Sequence, residues 1–282
     1  MDVLAKTQQA RRRDILAAMP SHGEPTNMQT DFKRPLSPLA ARQLVGVIGL
    51  ATPAFLWAYA NLGGRDLMQP SISAFYYTPV GDLFVGALVA VGFFLLTYRG
   101  YAGRPPGLPL GDRAAAVLAG LGATGTALIP TKGTPSEAIC RTGAELDRCA
   151  GDLALDQGLM TGLVAIPDRL QTILHYGSAV LFIAMMAYFC LALFPIGPRR
   201  SGNRRATLRL YQGCGTAIIA CLVLLIGIVV AGAVGPEGIA AWAQRVHAIF
   251  WLEAIAVACF SAAWLVKGKT LRHPMGLGAE VS

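Results

Sequence analysis

Six long apolar stretches predict an all-α fold, a polytopic membrane protein with six transmembrane helices and both termini on the cytoplasmic side (N-in/C-in). Three observations carry this prediction. The stretches 44–62, 80–98, 114–130, 172–194, 211–233 and 246–266 are each about 17–25 residues long, as a helix needs to cross about 30 Å of hydrocarbon. Hydrophobic residues make up 54% of the chain and charged residues 14%, against about 25% charged in an average soluble domain. Finally, the basic residues are sorted. Of 24 Lys and Arg, 18 fall in segments 1–43, 99–113, 195–210 and 267–282, and only six in the alternate segments. An excess of Lys and Arg marks the cytoplasmic side; an odd number of spans would break the sorting.

The chain thus divides into a basic N-terminal tether (1–43), a six-helix membrane domain (44–266) and a cytoplasmic tail (267–282). The tether shows no apolar core ahead of a small-residue cleavage site, so no secretory signal is expected. Its Pro-, Ser- and Thr-rich part, 20–38, reads as a connector. The net charge of +8 is explained by anchor charges such as Arg11, Arg12, Arg13, Arg199 and Arg200 facing anionic lipid. Basic residues interleaved with exposed aromatics are lacking, so no nucleic-acid partner is expected. The expected partner is the bilayer of a bacterial-type inner membrane.

After the first span the outer segment 63–79 carries Phe75, Tyr76 and Tyr77, which suit the headgroup belt. Thr78 and Pro79 read as N-cap and first residue of the second span, with Asp82 in its first turn. A proline-rich turn, 99–113, leads to the third and least hydrophobic span. This span contains Gly120-Leu121-Gly122-Ala123-Thr124-Gly125, a literal GxGxxG. No strand precedes it, so it carries no dinucleotide signal; small residues that let helices approach are the expected role.

The outer segment 131–171 is too long for a bare connection. Within it, 153–166 reads as an interfacial or re-entrant helix, and Asp168 with Gln171 as a capping box for the fourth span. Cys140 and Cys149 lie in this segment, where an oxidising periplasm favours a disulfide; the loop has no His and no CxxC to make zinc the better reading. Cys190, Cys214, Cys221 and Cys259 fall within spans and behave as small apolar residues.

Ionisable residues inside spans are costly, about 2.5–3.5 kcal/mol for a central charge. Four stand out, Asp82, His175, His247 and Glu253. The first three fall near the outer face, with Ser71 and Ser73 above them and Glu253 about 9 Å deeper at 1.5 Å per residue. Each also has a plain structural role: helix-end charge for Asp82, interhelical or interfacial hydrogen bonding for the two histidines, and a buried hydrogen bond for Glu253. Two His and a carboxylate are a ligand set for a hydrolytic metal, and two His alone would bracket a haem. With only four His in the chain, two of them (His22 and His273) on cytoplasmic segments, neither a metal nor another cofactor is expected.

Gln69-Pro70-Ser71-Ile72-Ser73 resembles the P-x-I-S motif of DRAM-like proteins, a family of six-helix membrane proteins with many bacterial relatives. The fourth span, with His175, Ala179, Phe182 and Tyr188, resembles the His-, Ala-, Phe- and Tyr-bearing helix of that family, and Glu253 falls where it often has Glu. Where the family often has Asp after the Ile-Ser pair, this chain has Ala74. The resemblance implies a six-helix bundle and a function centred on lipids. The leading expectation is a membrane protein that binds a lipid or amphiphile in an outer-facing polar pocket through Asp82, His175 and His247, with Glu253 behind them. A membrane hydrolase or lipid-remodelling enzyme using the same cluster is the alternative, with no catalytic residue assigned. A small-solute transporter comes third, lacking internal repeats and broken helices.

Overall fold

A computed structural model describes residues 38–62, 67–98, 100, 104–130, 168–196, 204–235 and 237–268. The tether before residue 38, the segment 153–166 and the pair Cys140 and Cys149 lie outside the described residues. The described cysteines, Cys190, Cys214, Cys221 and Cys259, are free thiols.

Among the described residues, apolar sequence of helical length becomes helix. The α-helices are α1 (Pro38–Leu62), α2 (Gly81–Thr97), α3 (Asp112–Leu128), α4 (Asp168–Tyr188), α5 (Arg204–Val234), α6 (Glu237–Arg245) and α7 (Ala248–Lys267). A 3-10 turn, Ser73–Tyr77, precedes α2. A π turn, Phe189–Leu193, and a 3-10 turn, Phe194–Ile196, prolong α4. Among the described residues, four stretches are long and apolar enough to cross a membrane, Arg42–Leu62, Arg169–Ile196, Arg205–Val234 and Ala248–Lys267. α2 is apolar but has 17 residues, and α3, also 17 residues, is rich in Ala and Gly. At 1.5 Å per residue these two are about 25 Å long, slightly less than the hydrocarbon core.

Apart from α6, the helices run alternately up and down. At one end the segment after α1 meets the start of α7, and the end of α3 meets the start of α4: Leu67 N donates to Ala60 O, Phe250 N to Pro70 O, and Gln171 Nε2 to Pro130 O. At the other end, Arg42 of α1 donates to the Tyr98 hydroxyl after α2 (3.0 Å), and Lys267 of α7 donates to Phe194 O (2.7 Å). Trp264 sits there among Tyr98, Phe189, Phe194 and Phe260.

Small residues set how closely the helices pack. Gly92 of α2 and Gly120 of α3 face each other: a Cβ on Gly120 would stand 2.9 Å from Gly92 O, and one on Gly92 3.2 Å from Gly120 O. Gly122 meets α4, where a Cβ would stand 2.8 Å from Phe182 N and 2.9 Å from Ser178 O. The GxGxxG of α3 is therefore a two-sided packing surface, as its sequence context predicts. In lipid, where apolar burial between helices gains little, close van der Waals contact of this kind drives association.

Two local expectations are corrected. Thr78 does not cap α2, whose N-terminal flank is Val80 with no side-chain cap; its hydroxyl instead donates to Phe75 O (2.7 Å) and closes the preceding turn. Gln171 Nε2 donates to Pro130 O (2.9 Å), fastening the start of α4 to the end of α3. Phe75 is not an interfacial aromatic. It is fully buried, in a cluster with Leu56, Ala60, Ile72, Phe84 and Phe250, because the turn folds inward over the helix ends.

Candidate functional site

The segment after α1 owes its position to a few hydrogen bonds. The first N–H groups of any α-helix lack partners within it, and Pro70 O accepts that of Phe250, the third residue of α7 (3.0 Å). Two residues on, Ile72 N donates to Glu253 Oε2 (2.7 Å). Ser71 Oγ accepts from Ala74 N (3.1 Å), a local side-chain-to-backbone bond of the kind serine favours at turns, and lies 3.2 Å from Ser73 Oγ. Ile72 and Phe75 are the apolar anchors, both buried. The motif Pro70-Ser71-Ile72-Ser73 is thus held to α7 by one backbone bond and one carboxyl bond.

Below this attachment lies a cavity of about 90 Å³ within the bundle, open along part of its wall. Its lining comes from α1, the Ile72–Ser73 turn, α2, α3, α4 and α7 and is mostly apolar, with Phe84, Leu88 and Phe182 among the larger groups. The polar side chains on it are Thr52, Ser73, Thr126, Glu253 and Ser261. Thr52 and Thr126 are engaged by their own helices, donating to Ile48 O (2.7 Å) and Gly122 O (2.8 Å). Ser261 is fully buried and its Oγ has no partner; Gly49 leaves room for it, since a Cβ there would collide with that oxygen. Among the described residues, Glu253 is the one ionisable residue on the lining. An apolar pocket with a few convergent polar groups is the usual form of a small-molecule site.

The six residues singled out in the sequence separate here. Glu253 and Ser73 line the cavity, and Ser71 supports Ser73 from behind. Asp82 is exposed in the first turn of α2, where its charge complements the helix N-terminus. His175 is 2% exposed; its Nδ1 bonds Ile129 O and its ring lies edge-on to Tyr176, tying α4 to the end of α3. Because a carbonyl only accepts, Nδ1 carries the proton in that bond. His247 joins α6 to α7 in the left-handed region (φ 49°), and its Nδ1 is buried without a partner. Among the described residues no three His, Cys, Asp or Glu groups come together to hold a metal, so Asp82, His175 and His247 do not meet as a ligand set.

Sequence reasoning missed the Ile72 amide, Ser261, and the threonines on the lining. A backbone N–H has no residue signature, and a serine or threonine in an apolar helix looks the same whether it faces lipid or a cavity. Comparison of the chain with protein-family profiles, curated proteins and solved structures finds no match.

Proposed function

We propose that this chain is a six-span inner-membrane protein, with both termini cytoplasmic, that holds part of the apolar chain of a lipid or other amphiphile in the cavity between its helices. The observation that carries this reading is the apolar cavity with Glu253 on its wall. A multi-pass arrangement is supported by four long apolar helices. For six spans, α2 and α3 must cross as well. Their up-and-down order with the other helices supports that, as does the sorting of 18 of 24 Lys and Arg to one set of connections.

Size limits what is held. An engineered cavity of about 150 Å³ admits benzene; one of about 90 Å³ takes a shorter piece of a chain, the rest leaving through the open wall. The polar contacts that orient it come from Glu253 and Ser73 rather than from Asp82, His175 and His247. Membership of the DRAM-like family belongs to the same proposal. It is supported by the Pro70-Ser71-Ile72-Ser73 motif, by Glu253, and by Ala179 and Phe182 on the cavity wall.

The test is mass spectrometry of small molecules carried through purification, on the wild-type chain and on Ala87→Phe, which places a ring at the cavity lining. Wild-type protein should retain a defined amphiphile and the Phe variant, with unaltered helix content, should lose it. Equal retention by both would sink the reading.

A further inference from the structure

The cavity wall has one sign of charge. Glu253 contributes a carboxyl group, and among the described residues no Lys, Arg or His lines the cavity. Among the described residues its one hydrogen bond is from Ile72 N to Oε2, and none of them donates to Oε1. An ionised carboxylate in a membrane interior is expensive unless paired, and no cation among the described residues lines this space. An anionic headgroup would find no positive partner among these lining residues. Close to Glu253 lies Ser73, 6% exposed, its hydroxyl paired with that of Ser71 and able to accept from a ligand. Along α7 the lining residues are Glu253, Val257, Phe260 and Ser261. From the first to the last is eight residue steps, about 12 Å of rise, so the carboxyl group sits at one end of an apolar slot.

We infer that the slot selects an amphiphile with a cationic amine head, the ammonium group bound by the free oxygen of Glu253 and by Ser73 Oγ, and the alkyl chain lying along Val257 and Phe260 toward Ser261. An alkylamine is charged at neutral pH, as lysine is, and supplies the counter-charge and the N–H donors that the lining lacks. The inference rests on the proposed binding of an apolar chain in the same cavity and adds the chemistry of the head.

Hexylamine, hexanol and hexanoate share a chain and differ in the head, which separates the two claims. Equilibrium dialysis against the purified full chain in non-ionic detergent should show hexylamine binding about tenfold or more tighter than hexanol, as for a charge-assisted hydrogen bond, and hexanoate binding weakest. Glu253→Gln retains a carbonyl oxygen to accept from Ile72 N, so the turn stays attached; in this variant hexylamine should fall to the level of hexanol. Ser73→Ala should reduce the amine preference by a smaller factor and leave hexanol unchanged. Equal binding of the three probes to wild type, or an undiminished amine preference in Glu253→Gln, would overturn the amine inference and leave the apolar pocket standing. No binding of any probe would overturn the pocket itself, and the inference with it.

Discussion

Glu253 has two contacts with different consequences. Its Oε2 holds the Ile72 amide and the residue lines the cavity. Removing the acceptor leaves a buried N–H unsatisfied, which costs about 1–3 kcal/mol. Glu253→Leu should therefore loosen the 67–80 segment, read as faster amide exchange there, while Glu253→Gln stays close to wild type. Identical exchange in the Leu variant would show that Pro70 O and the Phe75 cluster hold the segment unaided. Tyr188 offers a second single-atom test. Its hydroxyl donates to Leu110 O (2.7 Å) and accepts from Leu110 N (3.2 Å), fastening α4 to the connector before α3. Tyr188→Phe should lower stability by about 1–3 kcal/mol, measured by thermal unfolding in detergent; a change within error would mean that the connector's backbone groups find other partners. The sequence marks Glu253 and Tyr188 as polar groups in apolar helices. It does not say which backbone groups they meet, because those lie 181 and 78 residues away along the chain.

At the scale of elements, α3 is the informative helix. It is the least hydrophobic of the six predicted spans, yet nine of its 17 residues are buried, since it lies between α2 and α4. Ala and Gly are what such a position needs: Gly120 turns toward α2, Gly122 toward α4. A side chain at Gly122 meets backbone that cannot swing away, so Gly122→Leu should separate α3 from α4 and cost about 1–3 kcal/mol or more. Gly177→Ala is the control. A Cβ there meets nothing within 4 Å, and Ala is the better helix former by up to about 1 kcal/mol. The expected order in thermal unfolding is Gly177→Ala at or above wild type and Gly122→Leu well below; comparable losses in both would remove close approach as the reason for the motif. That small residues serve packing was legible from the sequence. The face each glycine serves was not, because its rotation about the helix axis depends on which neighbours the helix packs between.

For the whole molecule the central prediction is orientation. Reporters fused after Ser201 and at the C-terminus should read cytoplasmic, and a tag inserted within 131–152 should read external. An external signal from the 195–210 connection would overturn the proposed N-in/C-in topology. This prediction stands on charge counting. Arg42, Arg113, Arg205 and Lys267 belong to one end of the bundle, and Arg169 and Arg245 to the other.

Apolar helices, their approximate limits and the use of small residues between them followed from the amino-acid sequence by itself, because helix length, hydropathy and side-chain size are properties of local sequence. So did the suspicion attached to Glu253, since a carboxyl group amid apolar residues is conspicuous wherever the helix points. Only the tertiary structure decided what shares a space with it. Asp82, His175 and His247 fall near one end of the bundle by sequence position, yet Asp82 is exposed, His175 is buried against Ile129 O, and His247 occupies the corner between α6 and α7. Glu253 instead joins Ile72 and Ser73, from a segment turned inward by Phe75. Depth along a helix is counted in residues, but lateral neighbourhood depends on the rotation of each helix about its axis. That rotation is set by the packing of glycines, aromatic rings and backbone hydrogen bonds from distant parts of the chain.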